Sequence, residues 1–313
     1  MLIATESRLY HIIEADKKLA PQLWAEDEEI LAVAEAGPVC AAATANGCIR
    51  MWRKGMEWED VESGIEERIS SLMIVGADVN PLIIGTEPPH IYLLNATDDR
   101  PVRMDTFDRL ECRKDWFTPW GGPPAVRSLA MGGESTVYAD IHVGSIMRSF
   151  DLGITWEPVN PVLHQDVHQV TTTPAAPDSV YANTADAVWI SPDRGESWQH
   201  RPFPHDVTYG RAIAAHPEDP DCLLASASKG PHGDDVRGRL FRSDDGGRNW
   251  GHVTKGFPDY TEDNINTHRV TFDAGGTAWA AAGNQLYHSF DRGNSWKSTW
   301  EAPAKIEMLA APL

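Results

Sequence analysis

Four residues stand at matching places along the chain. Arg127, His168, Arg211 and His268 each come shortly before a short apolar run such as Leu129-Ala130-Met131, Ile213-Ala214-Ala215 or Val270-Thr271-Phe272. Guanidinium groups take a carboxylate or phosphate through paired hydrogen bonds, so Arg127 and Arg211, with Arg269 nearby, form a candidate anion site. Imidazoles near neutral pH serve two chemistries. One is acid–base catalysis by His168 or His268, oriented by Asp166 or Asp263, with Tyr209 close in sequence to Arg211. The other is a divalent transition metal held by His142, His168, His232 and His268, although their spacing matches no standard ligand motif. Asn183 and Asn266 add polar groups, and Trp116 and Trp120 offer an apolar wall. Each group also has an ordinary structural alternative. The arginines pair with acidic neighbours, the histidines bridge adjacent strands or sit exposed in loops, and the tryptophans cover a sheet edge.

Composition narrows the partners. The chain has 313 residues, 27 basic against 46 acidic, for a net charge of −19. That charge disfavours nucleic acid, whose binding needs dense positive charge, and disfavours an anionic membrane surface. No apolar run approaches the ~18 residues of a membrane span. Glu6, Arg8 and Glu14 fall where a signal peptide would be apolar. Four cysteines form no Cys-x-x-Cys pair, and Cys40 and Cys48 flank the Asn46-Gly47 turn in a register that keeps them apart. They read as buried thiols of a cytoplasmic protein. Asn95-Ala96-Thr97 matches a glycosylation sequon that carries little weight in that compartment.

What positions the candidate residues is a repeat. The segments 149–156, 191–198, 243–250 and 289–296 share Ser-x-Asp-x-Gly-x-(Thr/Ser/Asn)-Trp. Each follows a short apolar strand, for example Val188-Trp189-Ile190. Glycine supplies the positive φ of a tight turn, the aspartate accepts backbone N–H bonds inside it, and the tryptophan opens the next strand. Four equivalent copies cannot all be one active site, so these aspartates read as structural. The pattern resembles the Asp-box, or BNR, repeat of sialidase-like β-propellers.

The same strand recurs without the box at Leu9-Tyr10-His11-Ile12, Ile49-Arg50-Met51-Trp52 and Ile91-Tyr92-Leu93-Leu94. The seven copies fall 40 to 55 residues apart, the length of a four-stranded propeller blade. The expectation is an all-β, seven-bladed propeller of four-stranded antiparallel blades filling residues 1–313 as one domain. Met1-Leu2-Ile3-Ala4 and Ile306-Glu307-Met308-Leu309-Ala310 then share a blade and close the ring. The repeat turns lie on one face. The long loops, 108–124, 229–238 and 257–266, lie on the other, the mouth. Aligned innermost strands place Glu29, Ser70, Arg127, His168, Arg211, His268 and Ile306 in one column there, joined by His142, His164, Asp166, Asn183, Asp186, Tyr209, His232, Asp234, Asp235, Asp263, Asn266 and Arg269.

The resemblance implies a sialidase-type site: an arginine triad for a carboxylate, a Tyr–Glu nucleophile pair and an aspartate acid/base. Tyr209 and Arg211 invite that mapping. The chain departs from it in lacking a Phe/Tyr-Arg-Ile-Pro motif near the start, in its seven blades where sialidases have six, and in having no glutamate beside Tyr209. Other relatives resemble the photosystem II assembly factor and bind proteins. Two readings remain. One is a propeller binding a small anionic or polar molecule at a His/Arg-rich mouth, with hydrolase- or lyase-like chemistry. The other is a non-enzymatic scaffold or assembly factor binding a protein partner.

Overall fold

A computed structural model describes residues 1–15, 18–26, 29–75, 81–95, 98–133, 135–204, 206–233 and 235–311. Asp234, and Ala96 and Thr97 of the sequon, lie outside the described residues. The chain folds as seven four-stranded antiparallel sheets arranged as a β-propeller. The first blade takes Ile306–Ala310 as its innermost strand beside Leu2–Thr5, so the two ends of the sequence pair in one sheet. The second to seventh blades begin with the innermost strands Ile30–Ala36, Arg68–Ile74, Val126–Met131, Val167–Thr171, Tyr209–His216 and Val270–Phe272. Each innermost strand packs on the next around the ring. Apolar clusters fill the seams between blades, as where Val180 and Ala182 of the fifth blade meet Tyr138 and Ile146 of the fourth.

The repeated turns hold together as their residue types require. In the fifth blade Asp193 accepts the Ser197 amide at 2.8 Å and the Ser197 hydroxyl at 2.6 Å, while the Ser191 hydroxyl accepts the Gly195 amide at 2.7 Å. Gly195 has φ +91°, which only glycine adopts without strain. The same bonds recur at Asp151, Asp245 and Asp291. These carboxylates are turn staples. Asp193→Ala is therefore expected to cost about 1–2 kcal/mol of stability, the worth of two or three turn bonds, and to leave binding at the mouth unchanged. Chemical denaturation beside a ligand titration checks both halves.

A second regularity points residues at the mouth. The innermost strands carry register irregularities at Ile30/Ala32, Ile69/Ser71, Val126/Ser128, Val167/Gln169 and Gly210/Ile213. Each inserts unpaired residues, and a bulge re-aims the side chain it carries. In three successive blades that side chain is Arg127, His168 or Arg211. In the second blade it is Leu31, so the aligned position there is not Glu29, whose carboxylate instead pairs with Arg68 at 2.7 Å.

The second strands supply polar groups that satisfy these bulges. Asp140 accepts the Ser128 amide at 2.7 Å, and the Ser226 hydroxyl accepts the Ala212 amide at 2.8 Å. The Asn183 carboxamide donates to the carbonyls of Ala212 at 2.7 Å and Ser226 at 3.0 Å. No disulfide links the four cysteines, three of which are buried. No helix among the described residues is long and apolar enough to cross a membrane.

Candidate functional site

Blades four, five and six bring seven of the expected residues into one cluster. His168 is fully buried, and its Nδ1 lies 2.5 Å from the Gly210 carbonyl. A carbonyl only accepts, so Nδ1 carries the proton and Nε2 of the neutral ring is a bare lone pair. That Nε2 faces Oδ1 of Asp166 at 3.3 Å. The same carboxylate oxygen lies 3.6 Å from Nε2 of His142, which follows the strand Val137–Ile141. The Tyr209 ring packs on His168 at 4.7 Å between centroids, and the Arg211 guanidinium lies over Tyr209 at 4.8 Å. Trp120, two-thirds exposed, lies against His142 at 4.6 Å. Rings and guanidinium thus form a continuous arc from Trp120 to Arg211.

The two arginines are the unusual element. Arg127 donates to the Val167 carbonyl at 3.3 Å, and Nε of Arg211 is buried without a hydrogen-bond partner. Among the described ion pairs neither guanidinium closes one with a carboxylate, in a chain with 46 acidic residues. Burial lowers Arg127 to about 10 and also lowers Arg211. Burial and the Arg127 charge hold His142 down at about 3. Burial likewise lowers His168 to about 4, against the opposing pull of Asp166. Burial pushes Asp166 up, but the neighbouring His168 and the Arg127 charge outweigh this and hold it near 2. The site at neutral pH is therefore two cations, one carboxylate and two neutral imidazoles.

Other expected members are placed elsewhere. His268 and Arg269 do not continue the column, because the chain from Asn266 to Arg269 crosses the central channel instead of entering the strand. Thr267 donates to the His168 carbonyl at 2.7 Å, and the His268 amide donates to Gln169 Oε1 at 3.1 Å. The His268 ring lies 3.3 Å from the Arg127 carbonyl, and Leu309 N–H donates to the His268 carbonyl at 2.8 Å. His268 takes φ +64°, a strained value held by these bonds. It lines a cavity of about 680 Å³ bordered by residues of the innermost strands, Leu72, Leu129 and Val270 among them. Arg269 is buried in an ion pair with Glu307, so its charge is already answered.

Asn183 is turned into the seam by the bonds above and is fully buried. Asn266 belongs to the crossing segment, its carbonyl accepting the Arg269 amide at 3.1 Å. His232 is exposed on its loop, and Asp263 pairs with Lys305 at 3.0 Å rather than with a histidine. Trp116 packs on Phe107 at 5.7 Å and beneath Arg113, so it covers a blade instead of walling the mouth. The four histidines proposed for a metal are not gathered. Among the described residues no group of three or more His, Cys, Asp or Glu is placed to hold one.

Sequence reasoning missed three contributors. Asp140 is fully buried below Arg127, with one oxygen unpartnered. Gln169 carries the channel crossing on its carboxamide oxygen. Gly210 supplies the carbonyl that fixes the His168 tautomer. A signal for Asp140 lay in the strands: Asp140, Asn183 and Ser226 occupy equivalent places, polar residues inside otherwise apolar runs.

A family model described as Sortilin-Vps10, "Sortilin, neurotensin receptor 3", matches residues 144–264. A search of curated proteins finds no match. Among solved structures, an ancestral GH74 enzyme superposes with TM-score 0.68 at 16% identity, over 87% of this chain and 38% of that one. The GH74 xyloglucanase of Xanthomonas campestris gives 0.61 at 16% identity, over 87% and 45%. The present chain thus spans less than half the length of either enzyme. YCF48 from Cyanidioschyzon merolae gives 0.62 at 12% identity over 89% and 86%, and YCF48 bound to D1 peptide gives 0.58 at 16% over 95% and 88%. At these identities the likeness shows the propeller fold.

Proposed function

We propose that this protein is an Asp-box propeller that binds a small anion, a carboxylate or phosphate group, between Arg127 and Arg211 at the mouth. One observation carries the reading: two guanidiniums from the innermost strands of blades four and six, which flank that of blade five, lie near Asp166 with no ion pair of their own among the described residues. Burying cations without a paired counter-charge is costly, and such a site lowers its free energy by taking an anion. His142, His168 and Tyr209 complete the pocket wall, and Trp120 offers a flat apolar face to the body of the ligand. The Asp166–His168 contact, with Nδ1 fixed by Gly210, supports acid–base chemistry on that ligand of hydrolase or lyase type. Four cysteines without a disulfide among them support a reducing compartment, which we take to be the cytoplasm.

A second reading, a scaffold that binds a protein partner, is favoured by the YCF48 structures, which this chain matches over most of their length. An anionic side chain or terminus of a partner would use the same arginines.

The test is calorimetric titration with sulfate and with acetate of the protein and of the Arg127→Gln and Arg211→Gln variants. Each variant is expected to bind at least about tenfold more weakly, the worth of one charge-assisted hydrogen bond, with an unchanged denaturation midpoint. Equal affinity in all three proteins would place the anion elsewhere.

A further inference from the structure

We propose that the anion enters the mouth together with one proton, which is taken up by the Asp166–His168–His142 cluster, so that the site holds its anion in mildly acidic solution and releases it as the pH rises. This rests on the anion-binding reading above and names its regulation.

The argument begins with a proton that the geometry lacks. The Gly210 carbonyl commits the single proton of neutral His168 to Nδ1. Nε2 then points a lone pair at a carboxylate oxygen 3.3 Å away, which also holds only lone pairs. Both atoms are buried and neither has a hydrogen-bond partner. Nε2 of His142 faces the same oxygen at 3.6 Å, so two imidazoles share one acceptor. A proton placed on His168 Nε2 turns a repulsive contact into a charge-assisted hydrogen bond.

The charges around the cluster are what keep that proton out. Blade four presents Arg127, with buried Asp140 beneath it. Blade five contributes Asp166 itself and His164, whose Nδ1 accepts the Asp166 amide at 3.1 Å. Blade six presents Arg211 and Tyr209, and the blade-seven crossing places His268 under the Arg127 carbonyl. The two guanidiniums and burial hold both imidazoles neutral, and the single carboxylate does not offset them. An anion seated between Arg127 and Arg211 cancels the opposing field, and a proton from solvent completes the cluster. The balance is one anion and one proton bound together, with no other bond made or broken. By linkage, the affinity for the anion then rises by up to about tenfold for each pH unit lost, over the interval between the free and the bound titration of the cluster.

The experiment is isothermal titration with sulfate, whose own charge is constant, from about pH 8 to about pH 5, where free histidine titrates. Buffers of different ionisation enthalpy at fixed ionic strength report the protons exchanged. The expected result is uptake approaching one proton per sulfate, with affinity tightening as the pH falls. Asp166→Asn and, separately, His168→Gln should still bind sulfate but with a flatter pH dependence and reduced uptake. Sulfate binding with flat affinity and no uptake would overturn the coupling and leave the anion site standing. So would unchanged uptake in both variants. Absence of sulfate binding at every pH would overturn the anion site and the coupling with it.

Discussion

Gly210→Ala is expected to destabilise the fold by about 3 kcal/mol and to weaken the site at the same time. A Cβ at this position would lie 1.7 Å from Oδ1 of Asn183, 2.5 Å from its Cγ and 2.9 Å from the Thr184 carbonyl oxygen. The first two contacts belong to a carboxamide locked by two hydrogen bonds to the next blade, and the third is backbone, so none yields freely. Overpacking of this kind costs about 1–3 kcal/mol, and the seam bonds that must loosen add roughly another 1. For a chain of this size the melting temperature should fall by about 5 °C. The Gly210 carbonyl also fixes His168, so ring orientation should relax with it. Gly230→Ala serves as control, since nothing lies within 4 Å of its Cβ position. Adding Asn183→Ala to Gly210→Ala should recover part of the loss if the clash is the cause. Thermal melts of the four proteins decide this, and a Gly210→Ala protein as stable as the Gly230→Ala control would refute the packing described.

The second large effect is a pH dependence centred on Asp140. Burial raises its carboxyl to about 7, against the lowering influence of its Ser128 hydrogen bond and of Arg127. The folded protein therefore retains a proton that the unfolded chain releases near the ordinary carboxyl value of 3.8. Stability from this group is fully present below that value and is lost as the pH rises through about 7. At about 1.4 kcal/mol per unit, the loss between pH 5 and pH 8 is roughly 2–3 kcal/mol. Asparagine keeps the acceptor for the Ser128 amide but never ionises. The stability of Asp140→Asn relative to the parent should accordingly improve by about that amount from pH 5 to pH 8. His142 and His168 titrate in the opposite sense. Their values lie below that of the unfolded chain, so stability is lost as the pH falls from about 6.5 towards 4. Both proteins share that contribution, and the comparison removes it. A parent–variant difference that is constant with pH would show that Asp140 is not charged by titration in this range.

The architecture was legible because it is repetitive. Four Ser-x-Asp-x-Gly turns set the register, and the box-free strands at Leu9, Ile49 and Ile91 extended it to seven blades. The cluster was legible only where the repeat holds. Arg127, His168 and Arg211 stand at equivalent bulges, so aligning the strands found them together. His268 stands at the same aligned place with Arg269 beside it, but the chain there leaves the blade pattern to cross the channel, and Glu307 claims the arginine. Asn183 illustrates a different limit. Its type suits ligand binding, yet its place in a second strand faces a bulge whose carbonyls need a donor. Asp140 went unread for the same reason, because a buried carboxylate inside an apolar strand shows its surroundings only once the neighbouring strand is in place. The grouping of four histidines for a metal ignored that His232 sits on an exposed loop.

The most direct test of the anion site is a crystal structure of the protein soaked with selenate, whose selenium is located by its anomalous signal. The account predicts a peak between the guanidiniums of Arg127 and Arg211, within hydrogen-bond reach of both, that disappears in the Arg127→Gln/Arg211→Gln double variant. Selenate found only at other surfaces, with these two arginines turned to partners of their own, would contradict it.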